Sequence, residues 1–329
     1  MPTASPPELS IIIVNWNSAR YLRACLSSIE EQTRGIVYEV VVVDNNSSEE
    51  DLDEVVDEFA FARLIRNENN VGFARANNIG FRSSKAPCLL FLNPDTRIQG
   101  PAIATMLSVL NQREDAGIVG CRLLNSDLTL QTSCVQRYPR VLNQAFAADF
   151  LYSRLPRLPL WGLAPLHDET DEPHQVEVIS GACLMIRGDV FEEAGGFSEE
   201  YFMYAEDVDL CHKIAQTGRR CYFAGNAVVV HHGGGSSRLR PVSNWAAVVQ
   251  CGSKLQFLRR TRGIGYANVY RLAMAVSAAT RWLLLTAVGA LRAGGKSWPS
   301  SGGARWAAIV RWSLRPDLTI RELTATSAK

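Results

Sequence analysis

Carboxylates and imidazoles recur in this sequence where apolar runs stop. Asp44 ends "VVVD", Asp95 follows "CLLFLNP", Glu206, Asp207 and Asp209 sit together in "FMYAEDVDLC", and His231 and His232 follow "AVVV". Side chains of these types serve two kinds of chemistry. Carboxylate oxygen and imidazole nitrogen hold a divalent cation, and a carboxylate beside a hydroxyl takes its proton as the oxygen attacks. Side chains alternate along a strand, so His231 and His232 are expected to point opposite ways. His167, His174 and His212 have no such company and read as surface or packing residues.

The runs that carry these groups read as strands. "LSIIIVNWN" from Leu9 is almost unbroken in β-branched residues, the mark of a strand covered on both faces. A helix follows in "SARYLRACLSSIEEQT", where Ser18 can cap and Leu22, Leu26 and Ile29 recur at helical spacing. "YEVVVVDNNS", "ARLIRN" and "PCLLFLNPDT" are further strands, separated by helices in "EEDLDEVVDEFA" and "NVGFARANNIGFRSS". Such alternation predicts a parallel sheet wound by right-handed crossovers, with its ligand groups at the carboxyl ends of the strands.

"PAIATMLSVLNQ" is a helix with Pro101 in its first turn, and "AGIVGCRLLN" a strand. From Gln136 to Pro173 the prolines and weak periodicity read as loop and short helix. "VEVISGACLMIRGDVFEEAGGF" is a strand and then a helix ended by Gly195 and Gly196, "AEDVDLCHKIAQTG" a helix, and "CYFAGNAVVVHHGGGSS" a hairpin or strand pair. Asp209 is expected to face solvent or cap its helix, and Tyr201, Phe202, Met203 and Tyr204 either stack on a ligand ring or pack in the core.

The net charge of +1 hides an asymmetry. Residues 1 to 235 carry 19 basic and 31 acidic side chains, whereas residues 236 to 316 carry 13 basic and no acidic one. This basic part also holds Trp245, Trp282, Trp298, Trp306 and Trp312, a combination suited to a membrane interface, or to a basic helical subdomain docked on an acidic one. Arg271 and Arg281 divide its longest apolar stretch into runs shorter than the roughly 20 residues of a span, so an interfacial or core helix is expected. Eight cysteines without CxxC spacing suit buried thiols in a reducing compartment. No basic region followed by an apolar run opens the chain, so the expected location is the cytoplasm, at the inner face of the membrane.

In order, "SIIIVNWN", "VVVDNNS", "NNVGFARANNIG", "FLNPDT", "SGACLMIR", "FMYAEDVDLC" and "VVVHHGGGSS" resemble the family 2 glycosyltransferases of GT-A fold, in their rhamnosyltransferase-like branch. The resemblance spans roughly residues 9 to 237 and implies an α/β catalytic domain over 1–237. Its nucleotide-sugar half would cover about 9–120 and its acceptor half 121–237, followed by a basic helical region over 238–316 and a tail over 317–329. By the resemblance, Asn15, Asp44, Asn46, Gly72, Asn78 and Asn93 hold the nucleotide sugar. Asp44 would accept the ring N–H of uracil or thymine, favouring a dTDP- or UDP-sugar, although an aspartate here can equally close an Asx-turn.

Asp95 and His231 are the implied ligands of Mg2+ or Mn2+. The family's Asp-x-Asp begins here with Asn93, which implies a weaker or more hydrated ion. Asp207 is the implied base, supported by Glu206, and "SGACLMIR" would line the acceptor side, with Gly181 keeping space for a sugar. The implied reaction is inverting transfer of a sugar, L-rhamnose or another hexose, onto a lipid-linked or growing surface glycan. Implied partners are the donor, a polyprenyl-diphosphate-linked or glycan acceptor and the inner-leaflet surface, with no nucleic acid. Two other readings are a nucleotidyltransferase, which the lack of a glycine-rich basic loop in "VNWNSARYL" disfavours, and a non-catalytic sugar-nucleotide-binding protein, for which the incomplete Asp-x-Asp leaves room.

Overall fold

The computed structural model describes residues 6–49, 51–147, 154–155, 172–233, 244–292 and 301–315. Much of the stretch between Gln136 and Pro173, with His167, Trp298 and the tail after residue 316, lies outside them. The chain groups into two units: one of Met1–Arg137, Leu163–Tyr201 and Glu206–Ser236, the other of Tyr138–Gly162, Phe202–Ala205 and Ser237–Lys329. The second unit thus draws on two earlier stretches as well as the basic C-terminal region.

In the first unit, β1 (Leu9–Asn15), β2 (Tyr38–Asp44), β3 (Ala62–Arg66) and β4 (Cys88–Leu92) pair in parallel in the order β3-β2-β1-β4. They alternate with α1 (Ala19–Gln32), α2 (Leu52–Asp57) and α3 (Phe73–Ser83). Every residue of β1 and of β4 is buried, as continuous apolar runs covered on both faces require. α3 sits directly on this sheet. A Cβ at Gly80 would lie 2.4 Å from Ile12 Cγ2 and 3.2 Å from Val43 Cγ2, so the missing side chain sets the helix-to-sheet distance.

The rest of the sheet comprises β5 (Thr96–Gln99), β6 (Ala116–Leu124), β8 (His174–Val176), β10 (Cys183–Arg187) and β11 (Arg220–His231). It continues the order as β4-β10-β6-β11-β5, with β8 on the side of β11. This part of the sheet adds antiparallel neighbours to the parallel ones: β10 runs antiparallel to both β4 and β6, and β5 antiparallel to β11, while β11 and β6 are parallel. The expected hairpin in "CYFAGNAVVVH" is instead one 12-residue strand, β11, whose register on β6 shifts between Ala224 and Val228. Gly225 and Asn226 make an irregularity in the ladder and not a turn.

α4 (Ala102–Gln112), α6 (Gly188–Glu193) and α7 (Glu206–Gln216) complete this unit, with a short ribbon of β7 (Val135–Gln136) and β9 (Val178–Ile179). Phe91 anchors its core. Its ring lies 4.9 Å from those of Phe191 and Phe197, and Phe81 meets Phe191 at 4.9 Å with rings near perpendicular. Each buried ring contributes on the order of 1.5–3 kcal/mol by removal from water.

The second unit is helical: α5 (Val141–Ala145), α8 (Trp245–Arg292) and α9 (Ser301–Ser313). α8 breaks at Gly263, whose φ of 83° lies in the left-handed region that glycine enters freely. Arg271 ties α9 to α8 by donating to the carbonyls of Trp312 and Ser313, each at 3.0 Å. By length and composition α8 is apolar enough to cross a membrane, its most apolar 18 residues having a mean hydropathy of 1.5, although the arginines suggest shorter runs. Val269, Leu272, Val276 and Leu283 are each more than half exposed.

Candidate active site

The end of β4 makes a tight corner. Asn93 donates its backbone N–H to Ala182 O at 2.9 Å, and Thr96 Oγ1 donates back to Asn93 O at 2.7 Å. Pro94 supplies the fixed φ of the turn, and Asp95 emerges from it only 6% exposed. Because β5 starts at Thr96 and pairs with His231 at the end of β11, the imidazole of His231 arrives beside Asp95. Nε2 of His231 lies 3.3 Å from Asp95 Oδ1 and 3.2 Å from Asn93 Nδ2. His232, facing the other way, bonds Ser126 Oγ through Nδ1 at 2.9 Å.

A residue without any local sequence signal fixes this imidazole. Gln131 Oε1 lies 2.7 Å from His231 Nδ1, and Gln131 Nε2 in turn donates to Asn125 Oδ1 at 3.1 Å. The outer bond orients the amide, so Oε1 accepts and Nδ1 carries the proton. In the neutral ring Nε2 then accepts from Asn93 Nδ2 and also lies beside the Asp95 carboxylate. Two acceptors 3.3 Å apart repel unless a proton or a cation lies between them, which is the spacing of neighbouring ligands on one divalent ion. Among the described residues no three His, Cys, Asp or Glu side chains gather into a metal site. Asp95 and His231 thus offer one carboxylate and one imidazole, with the amide of Asn93 where a second carboxylate would stand.

Asp207 stands at the start of α7. Its Oδ2 accepts the N–H of Gly181 at 2.9 Å and its Oδ1 that of Val208 at 2.8 Å, and it is partly exposed. Gly181 precedes Ala182, the residue that holds Asn93, so Asp207 and Asn93 bond adjacent residues of one segment, and Asn93 in turn meets His231. A Cβ at Gly181 would make only ordinary contacts with Asp207 and Phe73.

Glu206 is buried, and its Oε2 has no hydrogen-bond partner. Burial, and secondly the neighbouring Asp207, push its carboxyl well above the usual carboxylate range, so the pair does not carry two full charges. Asp209 departs from expectation. It is 3% exposed and accepts from Ser198 Oγ at 2.6 Å and Tyr201 Oη at 3.3 Å, with Lys213 Nζ at 3.8 Å, and so belongs to the core. Tyr201, 1% exposed, is a core residue too.

Asn15 and Asp44 end β1 and β2 side by side. Asp44 closes the turn after β2: Ser47 Oγ donates to Oδ1 at 2.5 Å and Ser47 N–H to Oδ2 at 3.2 Å, while Arg66 approaches Oδ2 at 3.5 Å. Asn15 donates to Ser47 Oγ at 3.1 Å, and its own Oδ1 is buried without a partner. Asn46 is exposed with a φ of 63°, a left-handed conformation that asparagine tolerates.

Gly72 (φ 86°) leads into α3. Its carbonyl accepts from Asn45 Nδ2 at 3.1 Å, a contact that sequence reasoning missed and that ties α3 to the end of β2. Asn78 does not join this group. Its Nδ2 donates to Phe197 O at 2.8 Å and its Oδ1 accepts the Phe197 N–H at 3.0 Å, committing the amide to the packing of α3.

The model of glycosyl transferase family 2 matches residues 10–194. "O-antigen biosynthesis protein RfbC" of Myxococcus xanthus is 28% identical over 72% of this chain, which spans only 18% of that relative's length. "N-acetylglucosaminyl-diphospho-decaprenol L-rhamnosyltransferase" of Mycobacterium tuberculosis is 29% identical over 73% of the chain and 80% of its own. A mannosyltransferase of Pyrobaculum calidifontis, solved with GDP-Man and Mn2+, superposes over 95% of this chain and 87% of its own at a TM-score of 0.54 and 17% identity, a likeness of fold. The architecture is that of the GT-A glycosyltransferases. The chain belongs to glycosyl transferase family 2 and has relatives named as rhamnosyltransferases.

Proposed function

We propose that this enzyme transfers L-rhamnose or another hexose, with inversion, from a dTDP- or UDP-sugar to a lipid-linked or growing surface glycan. The observation that carries the reading is the shared rim: Asp207, held by two backbone N–H groups, bonds Gly181, while the adjacent Ala182 holds Asn93, whose side-chain amide meets His231 beside Asp95. The relative that acts on N-acetylglucosaminyl-diphospho-decaprenol supports a polyprenyl-diphosphate acceptor.

Asp207 takes the proton of the acceptor hydroxyl as that oxygen attacks the anomeric carbon from the face opposite the departing nucleoside diphosphate. Its anchoring by Gly181 and Val208 fixes the carboxylate's direction, beside a buried Glu206 held towards its neutral form. Asp95 and His231 would hold Mg2+ or Mn2+, which when bound neutralises the diphosphate as it leaves. Asp44 receives the base N–H in place of the Ser47 hydroxyl, beside Asn15, Asn46, Gly72 and Asn93 at the ends of the parallel strands. The basic, tryptophan-rich helical unit rests on anionic lipid at the cytoplasmic face of the membrane.

Asp207→Asn tests the reading through release of nucleoside diphosphate. Loss of a general base lowers kcat by about 10^2 to 10^4, with nucleoside diphosphate binding retained. Wild-type turnover in this variant would remove Asp207 from its role. Sedimentation with liposomes tests the membrane contact: binding indifferent to anionic lipid, or surviving truncation after Ser237, overturns it.

A further inference from the structure

The parallel register sets three polar residues in a row where β1, β2 and β3 end: Asn15 pairs with Asp44, and Asp44 with Arg66. Residues paired in this way project from the same face of the sheet. Around the carboxylate the row reads hydrogen-bond donor, acceptor, donor. Asn15 Nδ2 lies 3.4 Å from Asp44 Oδ1, and Arg66 Nη1 lies 3.5 Å from Oδ2.

The two flanks of the row differ in freedom. Asn15 is fully buried, with its amide also donating to Ser47 Oγ, whereas the Arg66 side chain is 45% exposed. Arg66 Nη2 donates to Asp53 Oδ2 at 2.6 Å, which steadies the guanidinium and leaves Nη1 on the side of Asp44. An exposed ion pair of this kind adds little to stability, so the anchoring by Asp53 bears on where Nη1 points more than on the fold. Nη1 carries two N–H groups and can face the carboxylate while donating to a ligand beside it. In the proposed function Asp44 takes the N–H of the nucleotide base, and the inference rests on that reading. Uracil and thymine present this N–H between two carbonyl oxygens, the complement of the row. Cytosine offers a lone pair in place of the N–H. Guanine sets an N–H beside a carbonyl, but with that carbonyl on Arg66 its amino group would meet the amide N–H of Asn15.

We infer that Arg66 is a specificity-determining residue of the nucleotide site: its Nη1 donates to one ring carbonyl of uracil or thymine while Asp44 accepts the adjoining N–H. The guanidinium thus reads the ring edge a second time, next to the position that Asp44 reads.

Isothermal titration of the full chain with UDP, CDP, GDP and the two UDP analogues in which sulfur replaces one ring carbonyl oxygen tests this, sulfur being a weak acceptor. UDP is expected to bind about tenfold or more tighter than CDP and GDP. The analogue whose sulfur meets Arg66 should bind about tenfold more weakly than UDP, the scale of a hydrogen bond to a charged group. Arg66→Leu should weaken UDP by a similar factor and bind that analogue and UDP alike, and Arg66→Lys, which keeps a hydrogen-bond donor, should recover part of the difference. Thermal melting verifies the fold of each variant. Equal binding of UDP, CDP and GDP would overturn the reading of Asp44 and this inference with it. A preference for UDP accompanied by wild-type affinity in Arg66→Leu, by both sulfur analogues binding as tightly as UDP, or by a sulfur penalty that survives Arg66→Leu would overturn the inference alone.

Discussion

Gln131→Leu removes the acceptor that sets the tautomer of His231 while keeping the side chain's approximate volume. The bond lost is 2.7 Å long and partly buried, and such a hydrogen bond contributes about 1 kcal/mol net. Without it the ring is free to carry its proton on Nε2, the nitrogen that faces Asp95 at 3.3 Å, and to rotate. Outer partners of metal-bound histidines are worth about 10- to 100-fold in affinity, or about 1.4–2.7 kcal/mol. The two estimates meet near tenfold. Titration of Mn2+ in the presence of nucleoside diphosphate, followed by the electron paramagnetic resonance of the free ion, should show that weakening in Gln131→Leu. Gln131→Glu, which keeps an acceptor, should bind at least as tightly as wild type. The decisive control is His231→Ala, in which Gln131→Leu should have no further effect. A Gln131→Leu protein that binds Mn2+ normally, or that loses the same tenfold with His231 already gone, would refute the reasoning.

Other outcomes follow from the carboxylates around α7. Glu206 has a folded pKa raised above its unfolded value, so its favourable contribution is complete below the unfolded pKa, near 4.5, and fades as pH rises towards the folded one. Glu206→Gln should therefore flatten the decline of stability above that pH, seen as a melting temperature that gains on wild type between pH 5 and 8; parallel curves would contradict this. Asp209→Ala leaves Ser198, Tyr201 and Lys213 without their buried acceptor and should cost about 3 kcal/mol in urea unfolding, with activity per folded molecule near that of wild type. A neutral Asp209→Ala would place that carboxylate outside the core network.

Local pattern accounts for much of the architecture. The β-branched runs of β1, β2 and β4 and the polar residues at their ends are properties of consecutive residues, and the parallel half of the sheet follows from them. What local pattern cannot carry is partnership over distance. Gln131 lies 100 residues from His231, so nothing around "TLQTSC" marks it. Asp209 looks like a solvated helix-start carboxylate until Ser198 and Tyr201 fold over it, and Asn78 resembles a ligand amide until Phe197 takes both its ends. β5 is four residues long directly after a turn, too short for alternation to stand out. In β11 Gly225 and Asn226 look like a hairpin turn, and only the neighbouring strand β6 reveals that they interrupt a ladder.

All eight cysteines are free and buried. Burial, seconded by the nearby Asp95 carboxylate, pushes the Cys25 thiol up to about 12, far from the range in which a thiolate forms. An alkylating reagent must therefore wait for the chain to open. Cys25 lies on α1, Cys88 on β4, Cys121 on β6, Cys183 on β10, Cys211 on α7 and Cys251 on α8, so the order in which they are modified in the native protein gives a residue-level chronology of its breathing, without a single engineered label.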